Sequence, residues 1–178
     1  MRDEILIAIP SSCIGICMSL ATPTLEHLAD LVVHVATPIE AGNVIGLNSR
    51  GRRRVIPITG GVLSGLRLQG RVLPGGADFQ LVVSETAADL DARYIIALDG
   101  EFAGEHLFVQ NHALRRGSAA DIAKLVRGDP VDPAAIYFRG VPTLEVSSPR
   151  LQWLTESVLI STGARFPDRV EMSFFRVA

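Results

Sequence analysis

The sequence predicts a mainly β protein: a single antiparallel up-and-down β-barrel, lipocalin-like, of about eight or nine strands with one short helix. Three observations favour this fold. Short runs rich in Val, Ile and Leu recur from residue 25 to the C-terminus, separated by Gly, Pro and Asp. Only one segment carries clear helix signals, so the strand–helix rhythm of a parallel sheet is missing. A barrel is preferred to a sandwich because closure leaves no strand edge exposed.

The strands are predicted from alternation and from the turn residues between them. The clearest alternation places Leu90, Tyr94 and Leu98 on one face, with charged residues opposite. Val62, Leu66, Leu68 and Val72 are likewise predicted to share one face. In chain order the predicted strands are 25–36, a dense β-forming run at 51–61, 62–73, 79–83, 90–98, 105–111, 158–162 and 170–177, with residues 38–50 as a loop.

The helix is predicted between Ser118 and Gly128. Ser118 and Asp121 form a capping box, and Gly128 is typical of a helix C-terminus. Asp132-Pro133 and Ser148-Pro149 each predict a single helical turn, because Pro is favoured at the first helical position.

The first seventeen residues are predicted to be an N-terminal extension outside the fold, with residues 18–178 forming one barrel domain. Met18 begins MSLATPTLEHL, which is typical of a cytosolic N-terminus. Arg2 is followed by two acidic residues, which does not match the basic start of a signal peptide. The apolar stretch 5–21 contains Pro10 and is short for a membrane helix of about 20 residues. A cytoplasmic protein without a stable membrane span is therefore predicted.

Composition excludes several classes of protein. The chain has 178 residues and a formal net charge of -2, which gives no electrostatic footprint for nucleic acid. Cys13 and Cys17 are the only cysteines, which excludes a disulfide-stapled mini-domain, and no further ligand completes a zinc site. The motifs of serine hydrolases, P-loop proteins, dinucleotide-binding folds and zinc proteases are missing. No cofactor and no metal are predicted.

Four stretches resemble a family of uncharacterised bacterial and fungal proteins known as DUF3237 or UPF0311. They are GRRRVIPITGGVLSGLRLQGRVLPGGADFQLV at 51–82, LDARYIIALDG at 90–100, VQN at 109–111 and YFRGVPTLEVSSPRLQWLTESVLISTG at 137–163. The resemblance extends from about residue 25 to the C-terminus. It implies antiparallel strands around a central pocket, as in lipocalin-type barrels, and it implies no particular reaction. The chain departs from the family pattern at Gly65-Leu66, Phe79, His112-Ala113 and Leu144.

Three residues are candidates for catalysis. Asp78 follows a Gly-rich turn, so it either acts as a general base at the barrel mouth or caps backbone N–H groups. Tyr94 lies on an apolar face, where its phenol either stabilises an oxyanion or is a paired core group. Asn111 shares a face with Leu107 and Val109, so its amide needs partners from a ligand or from the backbone.

Four further residues are candidates for ligand binding. Within the run Arg52-Arg53-Arg54, alternation directs some guanidinium groups inward, and Arg54 is the chosen candidate; the alternative is a solvated charged face. Tyr137, Glu145 and Trp153 belong to the last matching stretch, and each either lines the pocket or serves packing.

Two functions remain open from the sequence. In the first, Asp78, Tyr94 and Asn111 transfer protons on a small carbonyl or aromatic compound, in a cofactor-independent isomerase, lyase or hydratase. In the second, the same cup binds or carries a small hydrophobic ligand without catalysis. A homo-oligomer is also compatible with the sequence, and a purely structural oligomer would need an open apolar flank. Convergence of the three residues in one pocket would favour catalysis.

Deletion of residues 1–17 should leave the melting temperature within about 2 °C of that of the full chain, because the extension is predicted to make little contact with the barrel. Differential scanning calorimetry of both proteins measures this. A loss of several degrees would contradict the prediction.

Overall fold

The computed structural model describes residues 20–178, and the predicted extension at 1–17 lies outside them. The strands close into an antiparallel barrel with one short helix, which confirms the predicted fold class. The strands are β1 Leu25–Val35, β2 Ile39–Ile45, β3 Arg50–Ser64, β4 Gln69–Val72, β5 Ala77–Ser84, β6 Ala87–Leu98, β7 His106–Arg116, β8 Tyr137–Val146, β9 Leu159–Arg165 and β10 Arg169–Val177. The α-helix is α1, Ala119–Arg127, and 3-10 turns cover Gly100–Phe102, Pro133–Ala135 and Pro149–Leu154.

The barrel is closed by β1, which pairs with β10 on one side and with the second half of β3 on the other. β4 and β5 occupy one position between β3 and β6, separated by a turn, and β2 runs beside the first half of β3. Ten strands therefore give an eight-strand ring with up-and-down order. Gly61 allows the closure, because a Cβ at this position would overlap the carbonyl oxygen of Val32 on β1.

One end of the barrel is sealed by apolar side chains, and we call it the plug end. Leu151 and Leu154, from the 3-10 turn before β9, are fully buried against the core. The ring of Trp153 packs beside them, with the guanidinium of Arg67 4.9 Å from its centre. The core at this end is filled by inward-facing residues of β1, β6, β7 and β10, among them Leu31, Tyr94, Ile96, Val109 and Phe174.

The opposite end is covered by α1, and we call it the helix end. The Ser118 hydroxyl accepts a hydrogen bond from the backbone N–H of Asp121 at 3.1 Å, which starts the helix as predicted. Gly128 ends it with φ of +82°, a conformation that favours glycine. Ile122 and Leu125 pack onto a second apolar cluster, which includes Ala113 and Phe138.

Two local predictions were wrong. Residues 39–45 form β2 rather than a loop. Nearly all of them are exposed, so the strand depends on backbone pairing with β3. The sequence therefore shows no alternation of buried and exposed residues there. Val62 and Leu66 do not share the inward face of Leu68 and Val72, because both are exposed. The inward phase of β3 shifts by one residue at Gly60–Gly61, where the register with β1 also shifts, and β3 ends before Leu66.

No helix within residues 20–178 is long and apolar enough to cross a membrane.

Truncation of Leu151 to alanine should lower the free energy of unfolding by about 2–5 kcal/mol, because it removes a fully buried plug side chain. The same truncation at Leu66, which is fully exposed, should change it by less than about 0.5 kcal/mol. Urea unfolding followed by circular dichroism measures both variants. Equal losses would mean that the 3-10 turn does not seal the barrel.

Candidate functional site

A group of polar side chains lies inside the helix-end half of the barrel, and we call it the polar chamber. It consists of Arg54 on β3, Asp78 and Gln80 on β5, Arg115 on β7 and Arg165 on β9. Strand alternation directs all five side chains inward, although the sequence around them is largely β-forming and apolar. Arg54, Gln80 and Arg115 are each at most 5% exposed.

A chain of hydrogen bonds crosses the chamber. The Arg54 Nε donates to Gln80 Oε1 at 2.9 Å, and Gln80 Nε2 donates to the Asp78 Oδ2. The second carboxylate oxygen, Oδ1, is buried and has no hydrogen-bond partner within residues 20–178. Asp78 therefore has one oxygen held by Gln80 and one buried oxygen without a hydrogen bond of normal geometry among the described residues.

Asp78 and Tyr94 line the same small cavity, of about 30 Å³, together with Arg165 and apolar residues. The Tyr94 hydroxyl, like Asp78 Oδ1, is buried without a hydrogen-bond partner in the described part of the chain. The same holds for Nε and Nη1 of Arg165. A cavity of this size holds a functional group of one or two heavy atoms rather than a whole substrate.

Burial changes the acidity of both groups. Desolvation raises the pKa of Asp78 above its ordinary 3.8, against the opposing effects of the Gln80 hydrogen bond, the charges of Arg115 and Arg165, and the backbone N–H of Asp91. Desolvation also raises the pKa of Tyr94, and the nearby Asp78 raises it further. Tyr94 therefore remains a neutral hydrogen-bond donor at any physiological pH, whereas Asp78 is a stronger base than an exposed aspartate.

Asn111 lies in the same row of the barrel wall as Asp78, with Ala92 between them on β6. Its Oδ1 accepts from the Ser161 hydroxyl at 3.3 Å, and its Nδ2 lies 3.5 Å from the sulfur of Met172. Gly140 makes room for this pair, because a Cβ there would lie 2.5 Å from both Asn111 Oδ1 and Ser161 Oγ. Asn111 is thus a structural neighbour of the cavity with its amide already engaged.

The three arginines of the polar chamber have no carboxylate partner within 4.0 Å among residues 20–178. Desolvation lowers the pKa of all three. Repulsion from Arg54 lowers the pKa of Arg115 and Arg165 further, and repulsion from Arg52 does the same for Arg54. The pKa of Arg115 falls to about 10, which leaves it charged at neutral pH. With Asp78 ionised, the chamber carries three positive charges and one negative charge.

A larger pocket of about 490 Å³ lies between α1 and the barrel wall, and we call it the α1 pocket. Arg54 and Arg115 form the part of its lining that belongs to the polar chamber. Its other walls are mostly apolar, from Val82, Ala87, Ala88, Ile122, Ala123 and Val126. The Arg54–Gln80–Asp78 chain connects this pocket to the small cavity.

The structure brings together some of the residues predicted from sequence and leaves others outside. Asp78, Tyr94, Asn111 and Arg54 all face the barrel interior. Tyr137 and Glu145 are exposed on the outer face of β8, and Trp153 belongs to the plug end. Tyr137 borders a different, open groove beside the Pro133–Ala135 turn. These three residues therefore do not reach the polar chamber.

Sequence reasoning missed Gln80, Arg115 and Arg165. Extending the alternation of Leu107, Val109 and Asn111 along β7 would have directed Arg115 inward. Arg165 carries no comparable signal, because the predicted strand ended at residue 162 and β9 continues to 165. Within residues 20–178, no three His, Cys, Asp or Glu side chains lie close enough together to bind a metal ion.

Comparisons of the sequence and of the structure with known proteins point to the same family. Residues 23–177 match the model for "Protein of unknown function (DUF3237)". A UPF0311 protein of Rhodopseudomonas palustris is 37% identical over 158 residues, covering 88% of this chain and 99% of the relative.

Solved structures show the same barrel. The crystal structure of a conserved protein of unknown function from R. palustris has a TM-score of 0.81 at 33% identity, covering 89% of this chain and all of that one. A β-barrel-like protein from Acinetobacter baumannii has a TM-score of 0.76 at 34% identity, covering 90% and 99%. An enzyme from Penicillium herquei has a TM-score of 0.60 at 16% identity, covering 90% and 98%, which shows a shared fold alone.

The Asp78→Asn variant should gain stability relative to the wild type as the pH rises. The raised pKa means that the folded wild type holds the Asp78 proton more tightly than the unfolded chain does. This contribution is fully present below pH 3.8 and is lost as the pH rises through the higher folded value, whereas the asparagine variant does not titrate. Urea unfolding of both proteins between about pH 4 and pH 8 measures the difference. A difference that is constant, or that shrinks with pH, would contradict the shift.

Proposed function

This chain belongs to the DUF3237 family, and from that premise we propose that it is a cofactor-independent enzyme that transfers protons on a small carbonyl or aromatic compound. The observation that carries the proposal is the pairing of Asp78 Oδ1 and Tyr94 Oη, two buried and unpartnered atoms of the described chain at one cavity. Isomerases, lyases and hydratases share the chemistry that such a pair supports.

Asp78 supplies the base. Its raised pKa increases its proton affinity, and its Oδ1 makes no hydrogen bond of normal geometry within residues 20–178. In the proposed step the C–H bond next to a carbonyl breaks, the proton bonds to Asp78 Oδ1, and the electron pair moves to the carbonyl oxygen. Return of the proton to another carbon gives an isomerase, and loss or addition of a neighbouring group gives a lyase or hydratase.

Tyr94 stabilises the oxyanion that this step creates. A neutral, buried phenol donates a stronger hydrogen bond to a developing negative charge than to a neutral carbonyl, so it favours the transition state. The unpartnered N–H groups of Arg165 line the same cavity and add positive charge. Asn111 is a positioning residue, since its amide holds Ser161 and Met172 beside the cavity.

The likeness to the P. herquei enzyme supports one general part of the proposal. It means that a barrel of this fold occurs in an enzyme. At its low identity, no residue role is transferred to this chain.

The second candidate is a non-catalytic binder or carrier of a small hydrophobic molecule. It is favoured by the α1 pocket, because this pocket has the volume for a whole small ligand and the cavity at Asp78 does not. A retained ligand without chemistry at Asp78 would support the carrier.

A cytoplasmic location and a homo-oligomeric state are also part of the proposal. The oligomer is supported by the exposed apolar residues Ile39, Ile45 and Leu47 at the β2–β3 hairpin. Light scattering coupled to size-exclusion chromatography measures the state directly.

Asp78→Asn and Tyr94→Phe should each reduce proton exchange by about 100-fold or more. The assay needs no knowledge of the product. Native mass spectrometry of the protein from its own host identifies a retained small molecule, and proton NMR in D₂O then follows the loss of its exchangeable C–H signals with the protein. Asp89→Asn is the matched control, since Asp89 is an exposed aspartate on the outer face of β6.

Full exchange by both variants would overturn the acid–base mechanism. A bound molecule that no form of the protein exchanges would favour the carrier instead. Thermal unfolding of each variant separates lost chemistry from lost folding.

A further inference from the structure

The polar chamber contains more positive charge, from three arginines, than its single aspartate can neutralise. Arg115 is 2% exposed, and its Nε has no hydrogen-bond partner in the described chain. Arg54 bonds to the neutral Gln80, and the carboxylates whose charge acts on it are Glu40, which is exposed and pairs with Arg52 at 3.8 Å, and the buried Asp78. The three guanidinium groups of the polar chamber thus share one buried carboxylate, Asp78.

Buried charges of this kind are costly to a protein that uses them for structure alone. Removing a guanidinium from water without a paired anion costs more free energy than the packing of its side chain contributes. Structural arginines are therefore usually paired with carboxylates. A planar guanidinium with free N–H donors is also the group that proteins use to hold carboxylates and similar anions. The missing negative charge is supplied most simply by a ligand.

The α1 pocket determines what else that ligand contains. Arg54 and Arg115 line it on the barrel side, and the remaining contacts are mostly Ala, Val and Ile side chains. The other charged groups of the lining, Arg52, Glu85 and Arg127, are exposed. A ligand that matches these walls is apolar over most of its surface and negatively charged at one end.

We propose that the α1 pocket binds an organic anion with an apolar body and one acidic group, such as a carboxylate, held by Arg54 and Arg115. This inference names the substrate class for the proposed function and rests on it only for the chemistry at Asp78. The apolar body lies beneath α1. The acidic group lies beside the Arg54–Gln80–Asp78 chain, so that the adjoining part of the molecule faces the cavity of Asp78 and Tyr94.

Fluorescence titration with two matched probes tests the anion requirement. 8-Anilinonaphthalene-1-sulfonate and N-phenyl-1-naphthylamine share an aromatic body and differ by the sulfonate. The wild type should bind the sulfonate probe at least about 10-fold more tightly, with one probe per chain, because each charge-assisted hydrogen bond strengthens binding. Equal affinity for the two probes would overturn the proposal.

Arg115→Met should lower the affinity for the sulfonate probe by about 10- to 100-fold and leave the affinity for the neutral probe within about 2-fold of that of the wild type. Arg116→Met is the matched control; Arg116 is the next residue on β7, is exposed, and borders a different groove. Arg115→Lys retains the charge and should restore part of the affinity. Loss of both probes by Arg115→Met, in a variant with wild-type thermal unfolding, would assign Arg115 to pocket shape rather than to anion binding and would overturn the proposal.

Two further measurements complete the test. Displacement of the sulfonate probe by octanoate but not by inorganic phosphate supports an apolar body, and equal displacement by both would overturn that part. Asp78→Asn should bind the sulfonate probe at least as tightly as the wild type, since it removes a negative charge. Proton exchange and probe binding that both survive in Asp78→Asn would refute the acid–base mechanism and leave the anion site intact. Proton exchange that is lost in Asp78→Asn, together with equal affinity of the wild type for the two probes, would refute the anion site alone.

Discussion

Closure of the barrel through β1 is the constraint on which the rest of the molecule depends. β1 pairs with β10 and β3 at once, and this double pairing depends on the close approach of Val32 to Gly61. Closure removes the inner face of eight strand positions from water. Any polar side chain that alternation then directs inward is desolvated, whatever its local sequence. The acid–base properties of the interior therefore follow from the hydrogen bonding of the sheet.

The two ends of the barrel interior differ in the side chains that fill them. At the plug end the inward side chains are large and apolar, and Leu151 and Leu154 complete the packing. Toward the helix end the wall contains small residues. The Asn111 and Ser161 side chains occupy the space beside Gly140, and the Phe138 ring occupies the space beside Gly163. The same desolvation acts on both signs of charge, raising the pKa of Asp78 and lowering that of Arg115. Their mutual attraction opposes both shifts without cancelling either.

Sequence patterns predict the parts of this arrangement that depend on local alternation. The regular β6 strand directs Tyr94 inward, the capping residues predict α1, and the Gly-rich turn before β5 marks Asp78. Arg54 is predictable only as one member of a basic run. The inward position of Arg115 follows from alternation once β7 is extended beyond residue 111, and that of Arg165 once β9 is extended beyond residue 162. No local pattern shows that both meet Asp78 across the barrel. The shift of the inward face at Gly60–Gly61 is likewise not visible in the local sequence, because it depends on the pairing of β3 with β1.

The proposed anion and the proposed base are coupled through the charge of the chamber. Arg115 and Arg165 now hold the pKa of Asp78 below the value that burial alone would give it. An acidic group bound at Arg54 and Arg115 offsets part of that positive charge, and it also repels a charged Asp78. Both effects raise the pKa of Asp78 further, which makes it a stronger base when a substrate is present than when the pocket contains water. A guanidinium-rich interior with a single carboxylate is thus better suited to act on a bound anion than to stabilise the fold, which an apolar interior of the same volume would do at less cost.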